Sequence, residues 1–429
     1  MLRESDDFMM SIGTSTTISG PGGEEDHRAL PDIWANPGEQ HGNDCDPAHA
    51  NSFTSTLPEV PQTTHFRLTE SQWQLLERGL RQRFEAVSVC MEELTRHQRV
   101  PQFLERASGW KPLWQMLSPA ISGIERQNVP WGWFASSDIQ LTATGELSVF
   151  DHNFSLPTGL DRLASILTAA SAPFFSEFTR QIRRGDGVVF VLDPGPFSAT
   201  YRGNEFLARV LNAKIGKAAD LVVRSDGVYV QSPSVLTRVS TIIRRVDDDL
   251  LDPNSLRPDS LVGLPGLIRA WRNGVVNVAS PPGAALANIR SFGRLIPTMI
   301  REFLGEEPVL RAGQIIELSD SDERQRVLDN IEHFAIRTND PLHPARPYFG
   351  RTGSRTDLVD LMTRILRNPE GYIARPLMTD HEAVGMNLRL YASLGRSFRL
   401  LRVGLARMCQ PDGGAPLIIN SDAPMVLVE

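Results

Sequence analysis

Two acids and an amide within one short stretch offer the first chemistry. In DIQLTATGELSVFDHN, residues 138–153, Asp151 and Asn153 are two apart, so a strand places both on one face. A hairpin symmetric about Thr144-Gly145 sets Asp138 opposite Asp151. Opposed side chains have Cβ atoms roughly 4.5–5.5 Å apart, and like charges there repel. A hard divalent cation reverses that sign. Two carboxylates and an amide oxygen, completed by waters or phosphate oxygens, suit Mg2+. The plainer reading makes them exposed acids of an asymmetric hairpin. His152 points to the other face.

A second cluster lies in VSTIIRRVDDDLLDP, residues 239–253. Arg244 and Arg245 leave a strand on opposite faces, so one of them need face a site. With the acids that follow, they form either a clamp for a carboxylate or phosphate, or a structural ion-pair network. Asp193-Pro194-Gly195 ends the apolar run GVVFVLDPG, where α/β proteins place ligands and where any strand must turn. No GxxxxGK[ST], GxSxG, HExxH or GxGxxG motif occurs, and the nine histidines do not cluster at ligand spacing.

These groups need a scaffold. The 429 residues suffice for two or three domains. Residues 1–66 are rich in small and polar types and read as a disordered acidic tail. Thr69-Glu70-Ser71-Gln72 is a capping box, and Trp73, Leu76, Leu80, Phe84, Val87 and Met91 follow at helical spacing. A second helical stretch covers about 101–122, closing an N-terminal helical region over 67–130. From 131 the texture is mixed α/β. GVVFVLDPG, STIIRRV and GVVNVAS read as strands, and LVVRSDGVYVQS as a hairpin turning at Asp226-Gly227. NEFLARVLN and LIPTMIREFLG read as helices, the latter ended by Gly305. After a polar segment near 316–327 come the strands HFAIRT, GYIARPL, NLRLYASL and FRLLRVGLARM.

Composition narrows the function classes. The net charge is −7, but the first 60 residues carry 11 acids and two arginines, so the remainder is near neutral and lacks a nucleic-acid footprint. No apolar run is long enough to span a membrane, and the N-terminus lacks the bases and apolar core of a signal peptide. Cys45, Cys90 and Cys409 fit neither a disulfide framework nor a metal clip, so a cytoplasmic setting is expected. Lys111, Lys214 and Lys217 are the only lysines beside 41 arginines.

LDPG…NEFLAR, STIIRRVDDDLLDP, PDSLVGLPGL, GVVNVASPPGAALANIR and IPTMIREFLGEEPVL, in this order, resemble the circularly permuted ATP-grasp family of bacterial proteins, relatives of glutathionylspermidine synthase. The resemblance runs from about 131 to the C-terminus. It implies an α/β (α+β) ATP-grasp fold with exchanged halves and mixed sheets flanked by helices. Its core would span 131–429, with a metal hairpin at 131–160, a central α/β domain at 185–285 and a nucleotide-binding lobe at 286–429. It implies ATP and Mg2+ as cofactors, and phosphorylation of a carboxylate that an amine then attacks. Small-molecule or peptide carboxylates and amines would be the substrates, and a helical companion protein a partner. Neither nucleic acid nor membrane is implied.

By the same resemblance Asp138, Asp151 and Asn153 take the metal, Arg290, Arg337 and Gly350 the nucleotide, and Arg244, Arg245 and Arg389 the acyl substrate. The sequence also departs from the family. Ser136 replaces an arginine, Arg290 and Arg337 replace lysines, and Asn387 replaces an aspartate. NDPLHPARPYFG, with Gly350 as its only glycine, replaces a glycine-rich phosphate loop. The C-terminal glycine-rich element is reduced to Asn420-Ser421-Asp422. Two readings remain: an ATP- and Mg2+-dependent carboxylate–amine ligase, or a catalytically degenerate homologue that binds or scaffolds.

Overall fold

The computed structural model describes residues 64–124, 130–142, 144–167, 171–183, 185–351, 353–377, 386–395, 397–408 and 426–428. Residues 1–63, Cys45, Cys409 and Asn420-Ser421-Asp422 lie outside them.

Three sheets carry the fold. The largest runs, edge to edge, Thr64–Phe66, Val426–Val428, Phe398–Met408, Met386–Leu394, Ala135–Leu141, Leu147–Asn153 and Arg311–Ala312. One edge pairs the first described strand with the last, in parallel. The second sheet runs Ile316–Glu317, Tyr372–Pro376, Phe334–Thr338 and Tyr348–Phe349. The third is mixed: Leu236–Arg244 pairs in parallel with Val188–Leu192 and Asn277–Ala279 and antiparallel with Val228–Gln231. This mixture of sheets and flanking helices is the architecture the resemblance implies.

The helix Glu70–Thr95 backs the largest sheet. Its capping box is formed in both directions: Gln72 N–H donates to Thr69 Oγ1 at 3.2 Å, and Thr69 N–H to Gln72 Oε1 at 2.9 Å. The whole apolar stripe read from the sequence is buried, with Leu76, Leu80, Phe84 and Met91 at 0% exposure. Burying each such side chain contributes about 1.5–3 kcal/mol. The stripe shares one core with the hairpin residues Ile139 and Val149 and with Leu388 and Leu390 of the neighbouring strand.

Most local expectations hold, but the strand Thr64–Phe66 lies inside the stretch read as tail, the helix Arg355–Arg367 interrupts the later run of strands, and three further adjustments apply. The stretch 101–122 is two helices, Gln102–Glu105 and Trp110–Ile121, because Gly109 takes a left-handed conformation between them. The polar segment near 316–327 holds the helix Ser321–Asp329, whose N-cap Asp320 accepts from the N–H groups of Asp322 and Glu323. The helix Arg290–Met299 continues as a wider turn, Ile300–Leu304, and ends at left-handed Gly305. Among the described residues, no helix is long and apolar enough to cross a membrane.

Candidate functional site: an arginine–aspartate cluster between two sheets

The hairpin register is the foundation. Asp138 stands opposite Asp151 and Ser136 opposite Asn153, as the sequence symmetry predicts. The route differs. Beyond Asp138 the pairing slips by one, Ile139 against Val149, and Phe150 is the extra residue of a bulge. The loop is therefore centred on Thr144, and the bulge restores the opposition of the two aspartates. Alternation then sorts the side chains. Ser137 and His152 face the long helix, where His152 meets Ser137 Oγ at 2.8 Å and Arg83 at 3.4 Å. Asp138 and Asp151 face the other way.

Arginines meet both aspartates. Arg389 is the direct cross-strand partner of Asp138 and grips it bidentately, Nε to Oδ1 and Nη2 to Oδ2 both at 2.7 Å. Its Nη1 reaches Thr158 Oγ1 at 3.1 Å. Burial disfavours the Arg389 charge, but Asp138 outweighs it and holds the guanidinium above its ordinary range. Arg337, from the second sheet, donates to Asp151 Oδ2 at 2.9 Å, and Arg290 Nε stands 4.0 Å from the same oxygen. Burial pushes Asp151 up, yet the fields of Arg337, Arg375 and Arg290 together hold it well below the usual carboxylate range. Arg290 and Arg337 thus converge on one carboxylate.

Arg375, on Tyr372–Pro376, is the member that sequence reasoning missed. It is 3% exposed, and its guanidinium lies 5.5 Å from the centroid of Phe150, the bulged residue. None of its three nitrogens has a hydrogen-bond partner. Burial lowers it to about 10, with Asp151 opposing, so it stays charged at neutral pH. The available signal was parity: in GYIARPL, Arg375 is two residues from Ile373, which is fully buried.

The other expected site residues hold the frame. Asn153 is committed to a turn. Its Oδ1 accepts from Ser155 N–H at 3.2 Å, Leu156 N–H at 2.8 Å and Asn288 Nδ2 at 3.2 Å, while its Nδ2 donates to Leu156 O. This interlock sets Asn288 two residues ahead of Arg290. Arg244 is fully buried and donates to Ser280 O, Val246 O, Pro281 O and Asp248 Oδ2. Its bonds satisfy three backbone carbonyls and one carboxylate, so it organises this loop. Asp248 in turn accepts from Gly283 and Ala285 N–H. Arg245 donates to Asn204 Oδ1 at 2.6 Å and Pro157 O at 2.8 Å, bracing the Pro157-Thr158-Gly159 segment beside Arg389. Asn204 also binds Asp193, so the LDPG turn belongs to the same brace. Gly350 is a packing glycine: a Cβ there would stand 1.7 Å from Ile331 O. The close backbone approach leaves no room for a side chain there.

The divalent cation implied by the resemblance meets an unsuitable donor set. Both Asp138 oxygens are engaged by Arg389, Asp151 by Arg337, and the Asn153 oxygen by three N–H donors. An octahedral hard ion needs free oxygens and negative surroundings. Four guanidiniums around two carboxylates are the reverse, and no group of three His, Cys, Asp or Glu side chains suits a metal among the described residues.

On the helix-facing side, His152 makes a testable pH element. Burial pushes it down to about 3, and the Arg83 charge adds to the effect. The imidazole is neutral in the fold but protonated in the unfolded chain below about pH 6.5. Stability is therefore whole above pH 6.5 and falls as pH drops toward 3, by about 1.4 kcal/mol per pH unit from this group. Asp151, with its lowered value, keeps its contribution until more acidic pH. Urea midpoints between pH 6.5 and 4.5 are expected to fall less steeply for His152→Gln than for the parent; parallel slopes would disprove the assignment.

Comparisons with known proteins found relatives and a family. The uncharacterized protein sll0335 of Synechocystis sp. (strain ATCC 27184 / PCC 6803 / Kazusa) is 27% identical over 339 residues, covering 72% of this chain and 69% of its own length. The uncharacterized protein Rv2411c of Mycobacterium tuberculosis (strain ATCC 25618 / H37Rv) is 27% identical over 342 residues, covering 72% and 60%. The chain thus spans about three-fifths of the length of that relative. A solved structure from Methylobacillus flagellatus KT, provisionally described as a gamma-glutamylcysteine synthetase, shares 11% identity at a TM-score of 0.39, over 81% of this chain and 85% of that one. A family model described as circularly permuted ATP-grasp type 2 matches residues 163–409, more than half of the sequence, and the chain belongs to that family.

Proposed function

We propose that the chain is an ATP-grasp ligase-type protein. In this reading it binds ATP between the largest and the second sheet and uses it to activate a carboxylate that an amine then captures. The observation that carries the reading is the convergence of Arg290, Arg337 and Arg375, from outside the hairpin, on Asp151 and the bulged Phe150. A phosphate chain needs several fixed positive charges, and stabilising a phosphoryl transfer is chiefly a matter of positioning and charge. Arg389, braced through Thr158 and the Arg245–Pro157 contact, is the group offered to an acyl substrate. Small-molecule carboxylates and amines are the proposed substrates, and a helical companion protein the proposed partner.

A second reading is favoured by one observation. Both aspartates that should hold Mg2+ are paired with arginines. A member so arranged holds the nucleotide as a ligand without turning it over. The test is ADP release from ATP with a panel of amino acids and short peptides as carboxylates, and hydroxylamine to trap an acyl phosphate as hydroxamate. Hydroxamate with matching ADP supports the ligase. Saturable ATP binding without ADP supports the second reading. Absence of both binding and turnover would remove the two together.

A further inference from the structure

We infer that the arginine cluster is a polyanion site that works without a divalent cation, with Arg375 at its centre. The inference rests on the nucleotide-binding reading and goes beyond it in naming what neutralises the phosphates.

Arg375 is the strongest indication. Buried side-chain donors are almost always hydrogen-bonded, because an unpaired polar group away from water is costly. Here Nε, Nη1 and Nη2 all lack a partner at 3% exposure. The Phe150 ring sits against the guanidinium and offers no hydrogen-bond acceptor of its own strength. The buried Nε of Arg290 is unpartnered as well. A small cavity between Arg83, Asp151, His152 and Arg290 has room for about one water, which accounts for part of the Arg290 requirement but does not touch Arg375. The three Arg375 nitrogens are buried and unpaired, and the oxygens of an anion are the acceptors that would satisfy them.

Charge leads to the same ligand. Arg290, Arg337, Arg375 and Arg389 face Asp138 and Asp151, with half-exposed Asp340 also acting on Arg290, so positive charge is in excess. A dication would add to that excess and would have to break the Arg389 fork at 2.7 Å and the Arg337 bond at 2.9 Å to reach the carboxylates. A phosphate-rich anion cancels the excess and meets planar forks that match its geometry. The neighbouring segment NDPLHPARPYFG cannot cradle phosphates with backbone N–H groups, since its single glycine is locked against Ile331. Side chains must do the binding.

The experiment is calorimetric titration of the full chain with ATP and with inorganic tripolyphosphate, each in EDTA and in excess Mg2+. Both anions are expected to bind in EDTA, with no gain on adding Mg2+. Arg375→Met is expected to weaken tripolyphosphate binding by about tenfold or more. Asp151→Asn removes the anion that competes for the guanidiniums, so it should tighten binding in EDTA several-fold. The parent protein in EDTA and the Asp151→Asn sign keep the test decisive even if Arg375→Met fails to fold. ATP binding that requires Mg2+, or that Asp151→Asn abolishes, overturns the inference and leaves the nucleotide reading intact. Tripolyphosphate binding as tight as ATP in EDTA sustains the inference and shows that the phosphates, not the base, carry the affinity. Unweakened binding by a folded Arg375→Met protein, or no binding of either anion, overturns the inference.

Discussion

Arg244→Ala is expected to lower the unfolding free energy by about 3–5 kcal/mol, the usual consequence of leaving one member of a buried charge pair alone. Arg244 is 0% exposed and Asp248 1%. The substitution orphans the Asp248 carboxylate together with the carbonyls of Ser280, Val246 and Pro281. Asp248 would keep its bonds from Gly283 and Ala285 N–H, which is why the loss is not larger. Urea denaturation followed by tryptophan fluorescence measures it. Arg311→Ala is the control: that side chain is 78% exposed and its pair with Glu146 is worth little, so the midpoint should barely move. Equal effects from the two substitutions would contradict the role assigned to Arg244.

Arg389→Ala is expected to destabilise by about 3 kcal/mol or more on its own, while Arg389→Ala combined with Asp138→Ala recovers most of that loss. The asymmetry follows from the geometry. Two bonds of 2.7 Å hold a carboxylate and a guanidinium that are each little more than a tenth exposed. Removing one leaves the other desolvated and uncompensated, whereas removing both removes the penalty with the attraction. The pair also matters for metal chemistry. If Asp138 were a latent cation ligand, the Arg389→Ala single variant would free it and gain Mn2+ binding, which electron paramagnetic resonance detects. With guanidiniums in the cation's place, stability falls and no Mn2+ binding appears. Additive stability losses in the double variant would show that the pair is not coupled.

Much of the local structure was written in the residue order. The Thr69–Gln72 box and the 3–4 spacing of large apolar residues specify the long helix, and they do so through contacts within a few residues. The opposition of Asp138 and Asp151 follows from strand alternation around a short loop. Family motifs such as STIIRRVDDDLLDP were recognisable as strings, yet their chemistry was not. Arg244 and Arg245 look alike in sequence, but the first satisfies a buried loop and the second braces the segment that carries Thr158.

The one-dimensional order of this chain determined its long first helix, most of its strands and the pairing of the hairpin acids, because short-range periodicity and turn geometry suffice for those, and its motif strings carried the fold family. Only the tertiary structure decided what the acids face. Arg389 lies 251 positions from Asp138, and Arg337 lies 186 from Asp151. Which side chain reaches an isolated carboxylate depends on how the second sheet closes over the hairpin. A divalent ion and a guanidinium satisfy the same local charge pattern, so spacing alone could not separate them. Arg389 on Asp138 and Arg337 on Asp151 are the partners that the closed fold brings to the two acids.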